Sequence, residues 1–229
     1  MDRIFIGQAV FLRHGESEYT GVFPDLTDEG GKTIQKSSVA IEKIRSDFPE
    51  NLTTLISSPA ARAQGSASII AQRMAIKRVG RVPLLGPTQV KDKERGRPVF
   101  QEYLVAGGIR SLCIAYDTDS RFEDGIIFEP RSEVRKRFYR YLAMLAQCMR
   151  VVSFNHFVVA VSHYEVLYSF VEELFKLDYA RISPLNHGEL IRVLFHRTEE
   201  SNEVALDVLF REARAKAIFD IEKALLISP

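Results

Sequence analysis

Short apolar runs alternate along the chain with longer segments in which apolar residues recur at helical spacing. Three runs bounded by polar residues predict buried strands: 8–12, 53–57 and 157–162. The last of them, FVVAVS, is continuous enough for a central parallel strand that is covered on both faces. Helical periodicity predicts an amphipathic helix from Asp28 to near Pro49 and another marked by Val134 and Met149.

The remaining elements follow the same alternation. Ser58 and Pro59 predict a helix start, with Ser58 as N-cap and Pro59 at the first helical position. A helix is predicted from Glu165 to Phe175, then two strands, 190–195 and 204–210, for which an antiparallel arrangement is one alternative. A final helix is predicted from one apolar face: Ile218, Ile221 and Leu225. Strands that alternate with helices indicate βαβ units, and we predict a three-layer α/β/α sandwich with a mostly parallel central sheet.

One segment lacks a clean period. Residues 99–125 include a Gly-Gly pair and read as an inserted, irregular region, and long loops in compact domains commonly serve function. We therefore predict a single domain over residues 1–229, with a small inserted cap around residues 97–130.

Composition narrows the class of protein. The chain has 229 residues, 31 basic and 30 acidic residues, and a net charge of +1. This balance argues against binding to nucleic acid or to a membrane surface. Cys113 and Cys148 show no metal-ligand spacing and are expected to be reduced. The N-terminal pattern is not that of a signal peptide and no run is long enough to span a bilayer, so a cytoplasmic protein is expected.

Polar side chains of matching chemistry follow three of the predicted strands. Arg13 and His14 follow the first, Ser58 and Arg62 the second, and His163 the third. Carboxyl ends of parallel strands meet at one edge of the sheet, where ligands bind in folds of this kind. Two arginines and two histidines at that edge predict a pocket for a dianion such as phosphate.

The residues around these positions resemble a known family. Residues 12–17, LRHGES, are similar to the Arg-His-Gly signature of the histidine phosphatase superfamily, which includes cofactor-dependent phosphoglycerate mutases. Residues 26–30, LTDEG, resemble its Leu-Thr-x-x-Gly motif, and residues 58–63, SPAARA, its Ser-Pro-x-x-Arg-Ala motif. Residues 159–163 resemble the strand that leads to the second Ser-His. The motifs occur in the family's order from about residue 8 to residue 195.

The resemblance implies roles for individual residues. His14 is implied as the nucleophile that becomes phosphorylated, without a metal or another cofactor. Arg13, Arg62 and His163 are implied to bind the phosphoryl oxygens, with the second histidine expected in its protonated form. These residue types suit phosphoryl transfer, which requires positioning and charge neutralisation.

The general acid is expected in the polar segment before the inserted region. The family often has Glu-Arg followed shortly by Gly there, and residues 93–96 read KERG. Glu94 is therefore the preferred acid and Asp92 the alternative, while a cluster of solvated charges is the simplest other interpretation of both.

Several positions depart from the family pattern. Tyr164 stands where Gly usually follows the second histidine, and it either contacts substrate or packs into its helix. Thr20 stands where mutases have an Asn that touches phosphate, and we predict that Thr20 binds phosphate. Ser17 is a candidate substrate contact. His187 precedes a predicted strand and is expected in a turn, with a position of its loop at the pocket rim as the alternative. A solvated basic helix face is expected from Arg135, Lys136, Arg137 and Arg140.

The predicted activity is hydrolysis of a phosphomonoester through a phosphohistidine on His14. The interval from Glu94 to His163 lacks the mutase insertion motifs, which favours the phosphatase branch over a phosphoglycerate mutase-type phosphotransferase. A non-catalytic module that binds phosphorylated ligands is the alternative from another class. The expected partner is a small phosphomonoester, with a phosphoprotein and a homodimer as further alternatives.

Overall fold

The computed structural model describes residues 4–18, 25–47, 52–152, 155–176, 185–198 and 202–228. Within these ranges the strands are β1 (Ile4–Arg13), β2 (Leu52–Ser57), β3 (Val79–Arg81), β4 (His156–Ser162), β5 (Leu190–Arg197), β6 (Glu203–Phe210), β7 (Ala213–Asp220) and β8 (Leu225–Ser228). The α-helices are α1 (Asp28–Ser46), α2 (Ala61–Arg73), α3 (Lys93–Thr118), α4 (Arg131–Val151) and α5 (Tyr164–Phe175). Short 3-10 helices cover Pro83–Leu85 and Ser120–Phe122.

All eight strands form one mixed sheet in the order β3-β2-β4-β1-β5-β6-β7-β8. The first four strands in this order are parallel to one another, and each pairing from β1·β5 onward is antiparallel. The prediction of a mostly parallel sheet is therefore wrong. Short connections join the last strands, and such hairpin connections permit only antiparallel pairing. At the β6–β7 turn Arg211 has φ +54°.

Helices cover both faces of the sheet, which confirms the three-layer architecture. Alternate residues of β1 point to opposite faces: Val10 packs with Ile34 of α1, whereas Phe11 packs with Phe138 of α4. Ile70 of α2 belongs to the same buried cluster as Val10. The carboxyl end of the parallel strands thus lies between two well-packed helical layers.

Two predicted secondary structures differ from the structure. Residues 99–125, expected to be irregular, are largely helical, but α3 is broken by non-helical dihedrals at Gly107 and Gly108. The kink interrupts the helical register, so no single apolar period runs through the segment. The predicted C-terminal helix is instead β7 and β8, and the helix face proposed for Ile218, Ile221 and Leu225 does not exist. The alternative of a homodimer loses that support.

Two local predictions also need correction. Helix α2 begins at Ala61 with Ala60 as its N-cap, so Ser58 and Pro59 precede the helix. Arg137, expected on a solvated face of α4, is 8% exposed. The single-domain organisation and the cap around residues 97–130 stay predictions. None of the helices in the described residues is long and apolar enough to cross a membrane.

Candidate active site

The ends of three adjacent parallel strands define the candidate site. Arg13 at the end of β1 is in register with Ser162 of β4, and Ser57 of β2 is in register with Val161. The residues that follow these strands therefore converge at one edge of the sheet. They include His14 and His163, whose ring centroids are 5.0 Å apart.

His14 is almost fully buried, with 2% exposure, and its ring is held by two hydrogen bonds. Its Nδ1 lies 2.6 Å from the Gly15 carbonyl oxygen, which can only accept, so Nδ1 carries the proton. Its Nε2 accepts from Arg62 Nε at 2.9 Å, which matches this tautomer. Burial and the positive charge of Arg62 hold the pKa of His14 well below its usual value. The imidazole is therefore neutral, with the Nε2 lone pair facing the arginine.

His163 is a second neutral imidazole in the same site. Arg62 Nη2 donates to its Nδ1 at 3.2 Å, which leaves Nε2 as the protonated nitrogen, and this nitrogen donates to Ser58 Oγ at 2.6 Å. Burial, followed by the nearby His14, holds the pKa of His163 well below its usual value. The expectation of a protonated second histidine is wrong for this arrangement because both neighbours and burial oppose its charge.

The motif residues around His14 support the loop that carries it. The Thr27 hydroxyl caps α1 by accepting from the Gly30 N–H at 2.9 Å, and the Thr27 N–H donates to the Glu16 carbonyl at 3.0 Å. Gly30 lies so close to Glu16 that a Cβ at Gly30 would overlap the Glu16 carbonyl oxygen. Only glycine permits this approach, which explains the Leu-Thr-x-x-Gly pattern in physical terms.

A serine of α2 connects the nucleophile loop with Arg62. The Ser66 hydroxyl accepts from the Gly15 N–H at 3.0 Å and donates to the Arg62 carbonyl at 2.8 Å. These two hydrogen bonds hold the first turn of α2 against the His14 loop. The positions of Arg62 and His14 relative to each other are therefore fixed.

Arg13 is buried beside the site and is held from two sides. Its Nη1 donates to the Leu185 carbonyl at 2.6 Å, and its guanidinium lies 5.4 Å from the ring centroid of Tyr164. The Tyr164 hydroxyl donates to Asp117 Oδ2 of α3 at 2.8 Å. Tyr164 is 4% exposed. Of the two alternatives for this residue, packing is the one observed, and the ring supports Arg13 by a cation–π contact.

The ring of His187 lies beside that of His14. The two ring centroids are 5.6 Å apart, and His187 lies in a turn, as expected. Burial, Arg13 and Arg62 lower its pKa to about 3. The pairing of Leu12 with Leu190 brings the loop before β5 beside the His14 loop. The predicted strand 190–195 was the available signal, but its partner strand could not be inferred from one sequence.

The two acid candidates occupy the start of α3. Asp92 is the N-cap of this helix, and its Oδ1 accepts from the Arg95 N–H at 3.0 Å. Glu94 lies in the first turn and is exposed. Among the described residues, none of the hydrogen bonds that build the pocket involves Glu94. Its role as general acid stays a prediction.

Ser17 and Thr20 were also predicted to contact substrate or phosphate. Ser17 is 7% exposed, and its hydroxyl has no hydrogen-bond partner among the described residues, so it stays a candidate substrate contact. Thr20 lies outside the described residues. In the described part of the chain, no group of three or more His, Cys, Asp or Glu side chains is arranged to hold a metal ion.

A buried ion pair holds the segment between β3 and α3. Arg137 Nε donates to Glu129 Oε1 at 2.9 Å, and its two terminal nitrogens donate to the carbonyls of Leu84 and Pro87 at 2.7 and 3.0 Å. Glu129 Oε2 accepts in turn from the Gln89 N–H at 3.2 Å. Because this arginine satisfies backbone groups of a loop, its burial is compensated.

We compared the sequence and the structure of the chain with those of known proteins. No protein-family profile matches the chain, and no curated protein matches its sequence. Solved structures of the histidine phosphatase superfamily match it over most of its length. The chain has the histidine phosphatase fold.

Three of these structures illustrate the likeness. A protein described as mycobacterial hydrolase 1 has a TM-score of 0.63 and 18% identity, over 91% of this chain and 100% of its own. A mycobacterial glucosyl-3-phosphoglycerate phosphatase in complex with VO3 has a TM-score of 0.61 and 19% identity, over 90% and 99%. A phosphoserine phosphatase from Entamoeba histolytica, in complex with 3-phosphoglyceric acid, has a TM-score of 0.53 and 19% identity, over 82% and 90%.

Proposed function

We propose that the protein is a phosphomonoester phosphatase that acts through a phosphohistidine intermediate on His14. The observation that carries the proposal is the tautomer of His14, whose Nδ1 is tied to the Gly15 carbonyl while Nε2 keeps its lone pair on the side of Arg62. A neutral imidazole nitrogen presented to a guanidinium is a nucleophile beside a ready binding group for the phosphoryl oxygens.

The first step transfers the phosphoryl group to His14. Nε2 attacks phosphorus and the bond to the leaving oxygen breaks. Arg13 and Arg62 neutralise the charge on the three equatorial oxygens, and the N–H of His163 donates a hydrogen bond to one of them. Arg62 contacts both His14 and His163, so it is placed to exchange these ring contacts for phosphoryl oxygens as substrate binds. Burial of both rings keeps competing water hydrogen bonds away from the nucleophile.

The leaving oxygen requires a proton, and the later attack of water requires a base. We assign both tasks to Glu94, which is exposed at the first turn of α3 and whose carboxyl group is not used as a helix cap. Asp92 is the weaker candidate because its carboxylate accepts from the Arg95 N–H. In the second step the carboxylate takes a proton from water, the water oxygen bonds to phosphorus and the bond to Nε2 breaks.

The substrate class follows from the charge and from the relatives. Two arginines at a buried site favour a dianionic phosphate monoester. Two structures with the same fold are described as phosphatases of small phosphorylated compounds, which supports a small-molecule substrate. A phosphotransferase of the mutase type, a phosphoprotein phosphatase and a non-catalytic phospholigand module are the alternatives that the following experiments separate. A cytoplasmic location stays a prediction.

The experiment that tests the proposal is quenched labelling with p-nitrophenyl [³²P]phosphate, followed by peptide mapping. We expect acid-labile label on His14 in the wild type. His14→Ala should lose the label, and its turnover should fall by about 10⁴-fold or more. His156→Ala is the matched control, because His156 begins β4 at the opposite end of the sheet. Label on a serine, or unchanged turnover in His14→Ala, would contradict the mechanism.

A second experiment tests whether hydrolysis requires a metal ion. Because the guanidinium groups of Arg13 and Arg62 supply the neutralising charge in this mechanism, hydrolysis should continue in excess EDTA at the rate of the untreated protein. Loss of turnover on chelation, restored by a divalent cation, would show that the protein is metal-dependent. Transfer of label to a second phosphorylated acid instead of water would favour the mutase alternative.

A further inference from the structure

The loop that carries His187 is tied to the end of β1. Arg13 donates to the Leu185 carbonyl at 2.6 Å and, through its backbone N–H, to the Glu189 carbonyl at 3.4 Å. The Gly188 N–H donates back to the Arg13 carbonyl at 2.9 Å. These bonds flank His187 on both sides, so the ring is held where the nucleophile loop begins.

The same loop is packed against α1. Gly188 has φ +70°, and a Cβ there would overlap Ser37 and Thr33. The Ser37 hydroxyl donates to the Gly188 carbonyl at 2.7 Å. A loop built with a left-handed glycine and anchored from two elements is a defined structure, and it presents the ring of His187 5.6 Å from that of His14.

The groups that surround His187 are positively charged or neutral, so the binding of an anion beside them would raise the pKa of His187. Arg13 from β1, Arg62 from α2 and the His14 ring face it, whereas Thr33 and Ser37 of α1 are neutral. Glu189 of its own loop is paired with Arg211 at 2.5 Å. Burial and the two arginines lower its pKa to about 3.

We infer that His187 is a third imidazole of the phosphoryl site and binds an oxygen of the substrate's phosphate group alongside Arg13 and Arg62. The inference rests on the proposed function for the identity of the ligand. A dianion between the two arginines offsets the positive field that keeps His187 neutral. His187 then takes a proton from the buffer, donates a charge-assisted hydrogen bond to the phosphate and releases the proton when phosphate leaves.

The simpler role for His187 is packing against the His14 ring. Packing alone requires no proton, so it predicts that phosphate binds with the same proton uptake whether residue 187 is histidine or asparagine. A ligand role predicts that the asparagine variant takes up about one proton fewer. Proton uptake therefore separates the two roles without any measurement of turnover.

The test is isothermal titration of the full chain with inorganic phosphate at pH 7, in buffers of different ionisation enthalpy. We expect His187→Asn to bind phosphate about tenfold more weakly and to take up about one proton fewer than the wild type. His187→Gln, a second neutral variant, should behave likewise, and His156→Asn should match the wild type. Equal affinity and equal proton uptake in both His187 variants would overturn the inference.

The outcomes also separate this inference from the proposed function. If the wild type binds phosphate but does not hydrolyse phosphomonoesters, the proposed function is wrong. The phosphate affinities of the His187 variants then still test whether His187 is a ligand. A wild type that hydrolyses phosphomonoesters while the variants bind phosphate unchanged overturns only the role of His187. A wild type that neither binds phosphate nor hydrolyses its esters overturns both.

Discussion

The phosphoryl pocket and the start of α3 are built in opposite ways. In the pocket, His14 and His163 are 2% and 1% exposed, and each is fixed by hydrogen bonds on both ring nitrogens. At the start of α3, Glu94 is exposed, and the carboxylate nearest to it caps the helix. The groups proposed to hold the transferring phosphate are preorganised, whereas the proposed proton donor is free to adopt several rotamers.

The phosphate-binding side of the site is held more rigidly than the proposed proton donor. Strand ends, two helix starts and a buried ion pair hold the phosphate-binding side, because small displacements of charge-assisted contacts cost transition-state stabilisation. A proton donor on a helix surface needs only to reach the leaving oxygen, and its carboxyl group keeps its contact with water. Substitutions on the two sides should therefore differ in their effects.

The contrast depends first on the buried pair that holds the loop between the pocket and α3. Arg137→Met should leave Glu129 buried without its partner and free the carbonyls of Leu84 and Pro87. We expect the free energy of unfolding to fall by about 3–5 kcal/mol in urea denaturation. Arg140→Ala, an exposed change on the same helix, should shift it by less than about 0.5 kcal/mol. Equal losses in both variants would show that the loop is not held by Arg137.

Arginines of the two regions should differ in their effect on turnover. Arg62→Ala removes the side chain that contacts both histidines, and kcat/KM for p-nitrophenyl phosphate should fall by about 10²–10³-fold. Arg95→Ala changes an exposed arginine beside Glu94 and should have an effect of a few-fold at most. If both variants lose turnover to the same extent, the assignment of Arg62 to the phosphoryl group is wrong.

Leaving-group chemistry should identify the proton donor. Glu94→Gln should slow phosphorylation of His14 by an alkyl phosphate by about 10²-fold, because an alkoxide needs a proton. The same variant should slow reaction with p-nitrophenyl phosphate far less. Single-turnover formation of phosphohistidine is the measurement, since hydrolysis of the intermediate also uses Glu94.

Asp92→Asn is the matched control for that experiment, because asparagine is as good an N-cap as aspartate and preserves the start of α3. Asp92→Asn should change the rate of phosphohistidine formation by the same factor for the alkyl phosphate and for p-nitrophenyl phosphate. A selective effect in Asp92→Asn, together with an equal slowing of both substrates in Glu94→Gln, would make Asp92 the acid.

The contact between α3 and the pocket should make stability depend on pH. Burial raises the pKa of Asp117 to about 7, from 3.8 in an exposed carboxyl. The folded state therefore keeps a proton that the unfolded state loses, and stability falls as pH rises from about 4 to about 7. Asp117→Asn keeps an acceptor for the Tyr164 hydroxyl and should lack this fall, a difference of about 1–3 kcal/mol at pH 8. Parallel pH–stability curves for the two proteins would contradict it.

Much of the candidate site could be predicted because its residues follow strands with strong local signals. The strand of residues 157–162 and the run before Arg13 were evident from apolar continuity, and the segment that contains Arg62 followed a third such run. Their meeting at one edge requires only that parallel strands align at their carboxyl ends. The charge state of His163 could not be predicted in this way, because it depends on burial and on the neighbouring His14.

Local periodicity and chain order were enough to predict β1, β2 and β4, the helices α1, α4 and α5, and the three-layer arrangement. They were also enough to predict the approach of His14, Arg62 and His163. Tertiary structure alone decided the features that depend on contacts between distant segments. These are the antiparallel half of the sheet, the buried Arg137–Glu129 pair, the support of Arg13 by Tyr164, and the approach of His187 to His14. Their common physical cause is strand pairing and burial, and one sequence does not specify which distant segments pair.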